Sequence, residues 1–532
     1  MNHDINKDGN SMTGNESTGR RRRKAGTMGV VGVAGLCVTA AALVPMPTTT
    51  QAIETGADQG MVCEWGDFNT DSNVRAFTLT ATSGYTTEPD GNAIFDWSYT
   101  ADGTFQLPGP TLCANTGDLI QVTLNNELPV NTSIQFPGQT DVTFTNSFAA
   151  GPVGPVADAS GNLTSLVQDA PADTSNAISY SFPAYHEGTF VYQSGTDPQL
   201  QVQMGLFGSM VIYPSGIVIA PEDIGAIPVD GGTTNEQMGF GSSPYRADIA
   251  AEANCAYRSL DDPAKCDPLA IFEADRENIL VLSEVDPGVH AFIEQEQLAD
   301  HPANLNWSAY PVGYEAHYFM INGRSMPDTI APNFAPCLPS QPYGSLATVE
   351  PWDATINPLD AFIRYVGIGT AGYDFHPHSN HEHVIATDAW LMKSATVPVS
   401  DTNSVAIPAI DTTEEKFNIL VGAGSTVDAT FRWTNEENYS DDQGHRTSVQ
   451  WPQGPNMMEG DFWSGSPYLG DSGLLNPGII GKTQCGEYYH VAHNHDLTQV
   501  TNYGITFGGM LTLIKVEPLG TGRDVHSPCH EG

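Results

Sequence analysis

The chain has 532 residues, enough for two or three domains rather than one. Only 15% of its residues are charged, yet Asp and Glu outnumber Lys and Arg by 62 to 20, a formal net charge of −42. So acidic a surface argues against nucleic acid and anionic membranes as partners, while 53 glycines and 37 prolines point to a loop-rich, mostly β protein.

Residues 1–52 read as an export signal. Arg20-Arg21-Arg22-Arg23-Lys24 leads into an apolar stretch over 26–44, and Thr50-Gln51-Ala52 offers a small-residue cleavage site. The adjacent arginines admit twin-arginine export. Leu36-Cys37 lacks the small residue that precedes a lipidated cysteine, and no other stretch is long and apolar enough to cross a membrane. Asp4-Ile5-Asn6-Lys7-Asp8-Gly9 opens like a calcium loop, but Asn15 stands at the twelfth position, where the loop needs Glu. Cleavage removes six basic and three acidic residues and leaves the mature chain at −45. That charge serves solubility in a salty or acidic medium, and it also concentrates metal cations. Seven cysteines remain, without a CxxC. In an exported protein they predict disulfides, with Cys255–Cys266 closing a local loop and Cys63–Cys113 tying down the first domain. The odd count leaves at least one outside such intrachain pairs.

Strand-like segments follow at 74–82, 119–124, 178–182, 189–193 and 208–213. Alternation is plain in Leu119-Ile120-Gln121-Val122-Thr123-Leu124. They define a β-sandwich over 53–215. Residues 216–275, rich in Gly, Pro, Ser, Asp and Ala, read as a linker or excursion. A strand and a short helix are expected within 276–297. A second set of strands is expected at 318–322, 361–366, 383–387, 417–421, 426–433, 488–491 and 509–516. The second domain spans 276–520 with an insertion at 434–484, and 521–532 is a tail. The fold class is all-β, two sandwiches in tandem.

Two histidine clusters carry the chemistry. One is His376-Pro377-His378-Ser379-Asn380-His381-Glu382-His383, the other His490-Val491-Ala492-His493-Asn494-His495. Seven of the 15 histidines sit there. Imidazole is the commonest protein ligand for copper and zinc, and alternate residues on a strand converge on one side. Isolated histidines such as His186 and His317 read as structural.

Around these residues the chain resembles the multicopper oxidase and two-domain cupredoxin superfamily. The first domain carries Pro108-Gly109-Pro110-Thr111-Leu112, Gly117-Asp118, Asn125-Asn126-Glu127-Leu128-Pro129, Gly188-Thr189-Phe190-Val191-Tyr192 and Met204-Gly205-Leu206-Phe207-Gly208. The second carries Ile321-Asn322-Gly323-Arg324, Val384-Ile385-Ala386-Thr387-Asp388 and Gly486-Glu487-Tyr488-Tyr489. The resemblance covers most of the mature chain and implies tandem cupredoxin-like Greek-key β-sandwiches.

The family's copper motifs are degenerate here. Its first, His-Trp-His-Gly, falls on Gln135-Phe136-Pro137-Gly138, and its second on Gln193-Ser194-Gly195. Its third falls on His376 to His381, with the middle histidine displaced to His378. Its fourth, His-Cys-His, falls on His493-Asn494-His495, and the histidine expected five residues beyond the cysteine is Gln499. Met510 lies downstream of the usual axial position. A blue copper site requires a thiolate, which Asn494 cannot supply, and Cys485 is eight residues from His493. A standard trinuclear cluster lacks its four first-domain histidines.

What the resemblance leaves is a histidine-only copper site of His376, His378, His381, His493 and His495, with His383 and His490 as weaker candidates. Gln135, Gln193 and Tyr192 would face it across the domain interface or from a neighbouring subunit. The expectation is a secreted or periplasmic, copper-dependent oxidoreductase with a small-molecule or metal-ion substrate, and a homo-oligomer as its possible assembly. The alternatives are a non-catalytic copper-sequestering protein, which Met457-Met458 would suit, and a metal-free structural cupredoxin-fold protein.

Overall fold

The computed structural model describes residues 60–172, 176–219, 224, 253–350, 352, 357–378, 381–396, 409–432 and 488–516. The export signal 1–52, the insertion 434–484 with Met457-Met458, Cys485, Cys529, the tail 521–532 and most of 216–275 lie outside these residues.

The first sandwich pairs a four-stranded sheet with a seven-stranded one. The smaller sheet runs Cys63–Glu64, Thr111–Asn115, Phe207–Tyr213, Gly188–Gln193. The larger includes Val74–Thr87, Leu119–Asn126 and Ile178–Pro183, with Ala93–Thr100 paired to Val74–Thr87. Strands distant in sequence lie side by side. Thr111–Asn115 runs parallel to Phe207–Tyr213, and Val74–Thr87 parallel to Leu119–Asn126. Period-two alternation decides what faces inward. Ile120, Val122 and Leu124 are buried, and they meet Trp97, Tyr99 and Tyr180 in one core.

The second sandwich pairs an eight-stranded sheet with a five-stranded one. The larger is built on Ile271–Val285, Asp360–Gly367, Thr426–Phe431 and Glu382–Thr387. The smaller runs Ala347–Val349, Leu511–Val516, Tyr488–Asn494, Tyr373–Pro377, Ile419–Val421. Leu280, Tyr365, Tyr373, Phe375, Val384, Ala429 and Ala492 fill the space between them. The expected linker contributes to this sandwich. Ala253–Cys255 pairs with Ile271–Val285, whose strand begins before residue 276.

The larger sheet of the second sandwich packs on the first sandwich. Its Arg364 is fully buried. The guanidinium meets Glu277 at 2.5 Å and Asp428 at 3.3 Å, and donates to the Thr189 hydroxyl of the first sandwich at 2.8 Å. Thr189 donates in turn to Asp428 at 2.6 Å. Gly188, at φ 131°, brings the two sandwiches together. A Cβ there would stand 2.6 Å from the Ala389 side chain. Cys63–Cys113 and Cys255–Cys266 form the two expected disulfides, and Cys337 is also disulfide-bonded.

Candidate metal centre

The two histidine clusters lie on neighbouring antiparallel strands of the five-stranded sheet. Tyr373–Pro377 pairs with Tyr488–Asn494 so that His376 stands opposite His493 and Phe375 opposite Asn494. Parity then sorts the side chains. Tyr373, Phe375, Ala492 and Asn494 are buried, whereas His376 and His493 are only half-buried on the outer face. His378 and His495 continue that face. The His495 amide donates to the Asp374 carbonyl at 2.5 Å and holds the second cluster against the first strand.

Four imidazoles converge there. His378 Nε2 and His493 Nε2 are 3.0 Å apart. The His376 ring centroid lies 4.6 Å from His378, 5.6 Å from His493 and 5.2 Å from His495. Each of two rings also has its Nδ1 fixed by a backbone carbonyl: His376 by Phe417, and His493 by Asn494 at 2.7 Å. A carbonyl only accepts, so these Nδ1 atoms carry the proton and both rings present a bare Nε2. Histidine ligands of metals are held in their tautomer in the same way. Two facing Nε2 atoms at 3.0 Å need a proton or a metal ion between them. That separation is what neighbouring nitrogens adopt at roughly right angles around an ion with bonds of about 2.0 Å.

Three of these rings are held below the ordinary imidazole value. Burial first, then the neighbouring imidazoles His376, His493 and His495, pushes His378 down to about 4. Burial lowers His376 and His493 as well. A metal ion entering between His378 and His493 would take the place of the single proton that joins their Nε2 atoms. Among the described residues, no group of three or more His, Cys, Asp or Glu side chains meets the geometry of a ready-made ion site. The structure holds one facing pair, with two further rings in contact.

The other candidates are placed differently, although His381 lies near enough to His376, and His490 to His378, for an electrostatic effect. His381 is exposed and meets the Phe417 ring, with centroids 6.0 Å apart. His383 is on the opposite sheet, in register with Glu415 and Thr430. His490 points into the sandwich interior, where burial pushes it down to about 3. Tyr192 is buried in the first core and donates to the Pro110 carbonyl at 2.7 Å. Gln135 and Gln193 pair with each other across a β-bridge in the first sandwich, which packs against the other sheet of the second.

The blue copper position is filled by a hydrogen-bonded knot that sequence reading missed. Asn494 Nδ2 donates to Gln499 Oε1 at 2.7 Å and lies 3.3 Å from Met510 Sδ, while Asn494 Oδ1 accepts from the Asp496 amide at 2.8 Å. Amide, amide and thioether satisfy one another where thiolate, imidazole and thioether would bind copper. These residues do not fit a blue copper ion. In the first sandwich the side chains near Gln135 and Gln193 likewise hydrogen-bond to one another. The Thr196 hydroxyl hydrogen-bonds to the Ser133 and Ser165 hydroxyls at 2.9 Å each, Ser194 donates to Gln201 Oε1 at 2.7 Å, and Thr132 donates to Gln201 Oε1 at 2.8 Å. The run of hydroxyl residues around Ser133, Ser194 and Thr196 was the available signal.

No family model matches the sequence, and no curated protein matches it. Solved structures do resemble it. The multicopper oxidase mgLAC is 14% identical, with 83% of this chain and 86% of that one covered and a TM-score of 0.42. The blue copper oxidase from Nitrosomonas europaea is 14% identical, covering 86% and 89%, with a TM-score of 0.42. The copper nitrite reductase from Nitrosomonas europaea is 13% identical, covering 85% and 96%, with a TM-score of 0.38. These likenesses concern chain architecture, and no chemistry follows from them. By its own sheet order and register the chain is a tandem of cupredoxin-like β-sandwiches.

Proposed function

We propose that this protein is a secreted copper oxidoreductase whose metal site is built from histidines alone. The observation that carries the reading is the facing pair His378 and His493, with His376 and His495 in ring contact on the same sheet face. Neutral imidazoles suit Cu(II), and the absence of a thiolate sets the site apart from blue copper. Bound copper would supply a one-electron couple and a position for a small substrate.

The chain's own residues do the rest. Phe417 O and Asn494 O hold His376 and His493 in the tautomer that presents Nε2. The exposed Phe417 puts apolar surface beside the His376 ring, with centroids 5.7 Å apart. Secretion rests on the N-terminal signal pattern, and among the described residues no helix is long and apolar enough to cross a membrane. Copper loading of the mature protein followed by metal analysis tests the site, and oxidation of small reductants under air tests the activity. Copper retained without turnover would favour the sequestering protein instead.

A further inference from the structure

The helix Pro287–Leu298 leaves one sandwich and docks on the other. It follows directly on the strand Ile271–Val285 of the second sandwich, and the Asp286 carboxylate caps it by accepting from the Gly288 amide at 2.7 Å. Yet its Val289 and Ile293 belong to the core of the first sandwich, with Phe95 and Trp97. The helix is thus a strap between the two. Its third buried side chain is His290, 1% exposed.

Both ring nitrogens of His290 face backbone carbonyls, Nδ1 that of Phe95 at 2.6 Å and Nε2 that of Gln203 at 3.0 Å. A carbonyl oxygen cannot donate, so both nitrogens carry hydrogen and the ring is an imidazolium. Asp96 Oδ1 lies 3.1 Å from Nδ1 and supplies the counter-charge, while the Thr86 hydroxyl donates to Asp96 Oδ2 at 2.7 Å. A charge buried this deeply persists only when paired in this way. Burial alone would push His290 down. The hydrogen bond and charge of Asp96, with the two carbonyls, outweigh it and hold the imidazole above its ordinary value.

The surrounding groups come from several elements. The second sandwich offers Glu284, which accepts from Gln203 Nε2 at 3.4 Å, and Tyr314, which donates to Gln203 Oε1 at 2.8 Å. The strap itself offers Asp286 and Glu294, the latter accepting from Tyr85. The hairpin before Ala93 offers Glu88, which burial holds well above the usual carboxylate range. Among these groups only Asp96 is in direct contact with the His290 ring.

We propose that His290 and Asp96 form an acid-stabilised latch, in which the protonated imidazole fastens the strap to the first sandwich and loss of that proton releases it. The sign follows from linkage. A group raised on docking stabilises the docked state fully below its free value, near 6.5 for histidine, and that contribution is lost as pH rises through the raised value. Across that window the opening equilibrium of the strap rises about tenfold per pH unit.

The test uses the full mature chain. Nitrogen NMR of labelled histidine should show both His290 nitrogens protonated at pH 7. Hydrogen exchange of the 287–298 amides, corrected for intrinsic rates, should give an opening equilibrium that climbs about tenfold per pH unit above roughly 6.5. His290→Gln should abolish that climb, and Asp96→Asn, which lowers only the docked value, should end it at lower pH. A neutral His290 at pH 6, or the same climb in His290→Gln, would overturn the latch. If the variants fail to fold, the wild-type NMR titration decides alone.

Discussion

At the scale of single residues, strand parity determines which histidines meet. His376, His378, His493 and His495 share an outer face, and His490 does not, because it alternates inward with Ala492. Changing His493 and His495 together to alanine should abolish most copper binding, measured as metal per chain after loading and dialysis. His383→Ala should leave the stoichiometry unchanged, since that ring sits on the other sheet. Asn494→Ala would strand the Gln499 amide and the Asp496 N–H, and should cost about 1–3 kcal/mol in denaturant unfolding. The histidine spacing within each cluster was legible in the sequence, whereas the expectation that the two clusters meet came from the resemblance, since strand period alone joins no segments so far apart. The knot of Asn494, Gln499 and Met510 was not. An asparagine in place of a cysteine reads only as a loss until its partners are seen.

At the scale of elements, most of the segments expected as strands match one within a residue or two, because alternation marks a half-buried sheet directly, whereas Ala93–Thr100, Thr111–Asn115 and Ala347–Val349 were among the strands not foreseen. The segments expected at 119–124 and 178–182 are Leu119–Asn126 and Ile178–Pro183. Tyr373–Pro377 also escaped, since its inward residues Tyr373 and Phe375 are masked by Asp374 between them and by His376 and Pro377 beyond. Arg364 was equally invisible, for its worth lies in partners from three other segments. Arg364→Met should destabilise the fold by about 3–5 kcal/mol, because Glu277 and Asp428 would be left as uncompensated buried carboxylates. Chemical denaturation with both sandwiches followed by tryptophan fluorescence checks this. The Cys63–Cys113 bridge closes a loop of 50 residues. Replacing both cysteines by serine should cost about 4 kcal/mol on the chain-entropy account.

At the scale of the whole molecule, the two sandwiches are held by a buried ion network and by the helical strap. The histidine face lies on the sheet that does not form that junction. The acidic composition predicted solubility and cation attraction, but the buried charges that tie the sandwiches together are set by tertiary packing and left no local pattern. The measurement that tests the central claim most directly is electron paramagnetic resonance of the copper-loaded mature protein, with its visible spectrum and metal content. The account predicts bound copper with nitrogen hyperfine structure, a type 2 signal and no intense blue band, lost in the double variant of His493 and His495. An intense thiolate band, or no copper retained at all, would contradict it.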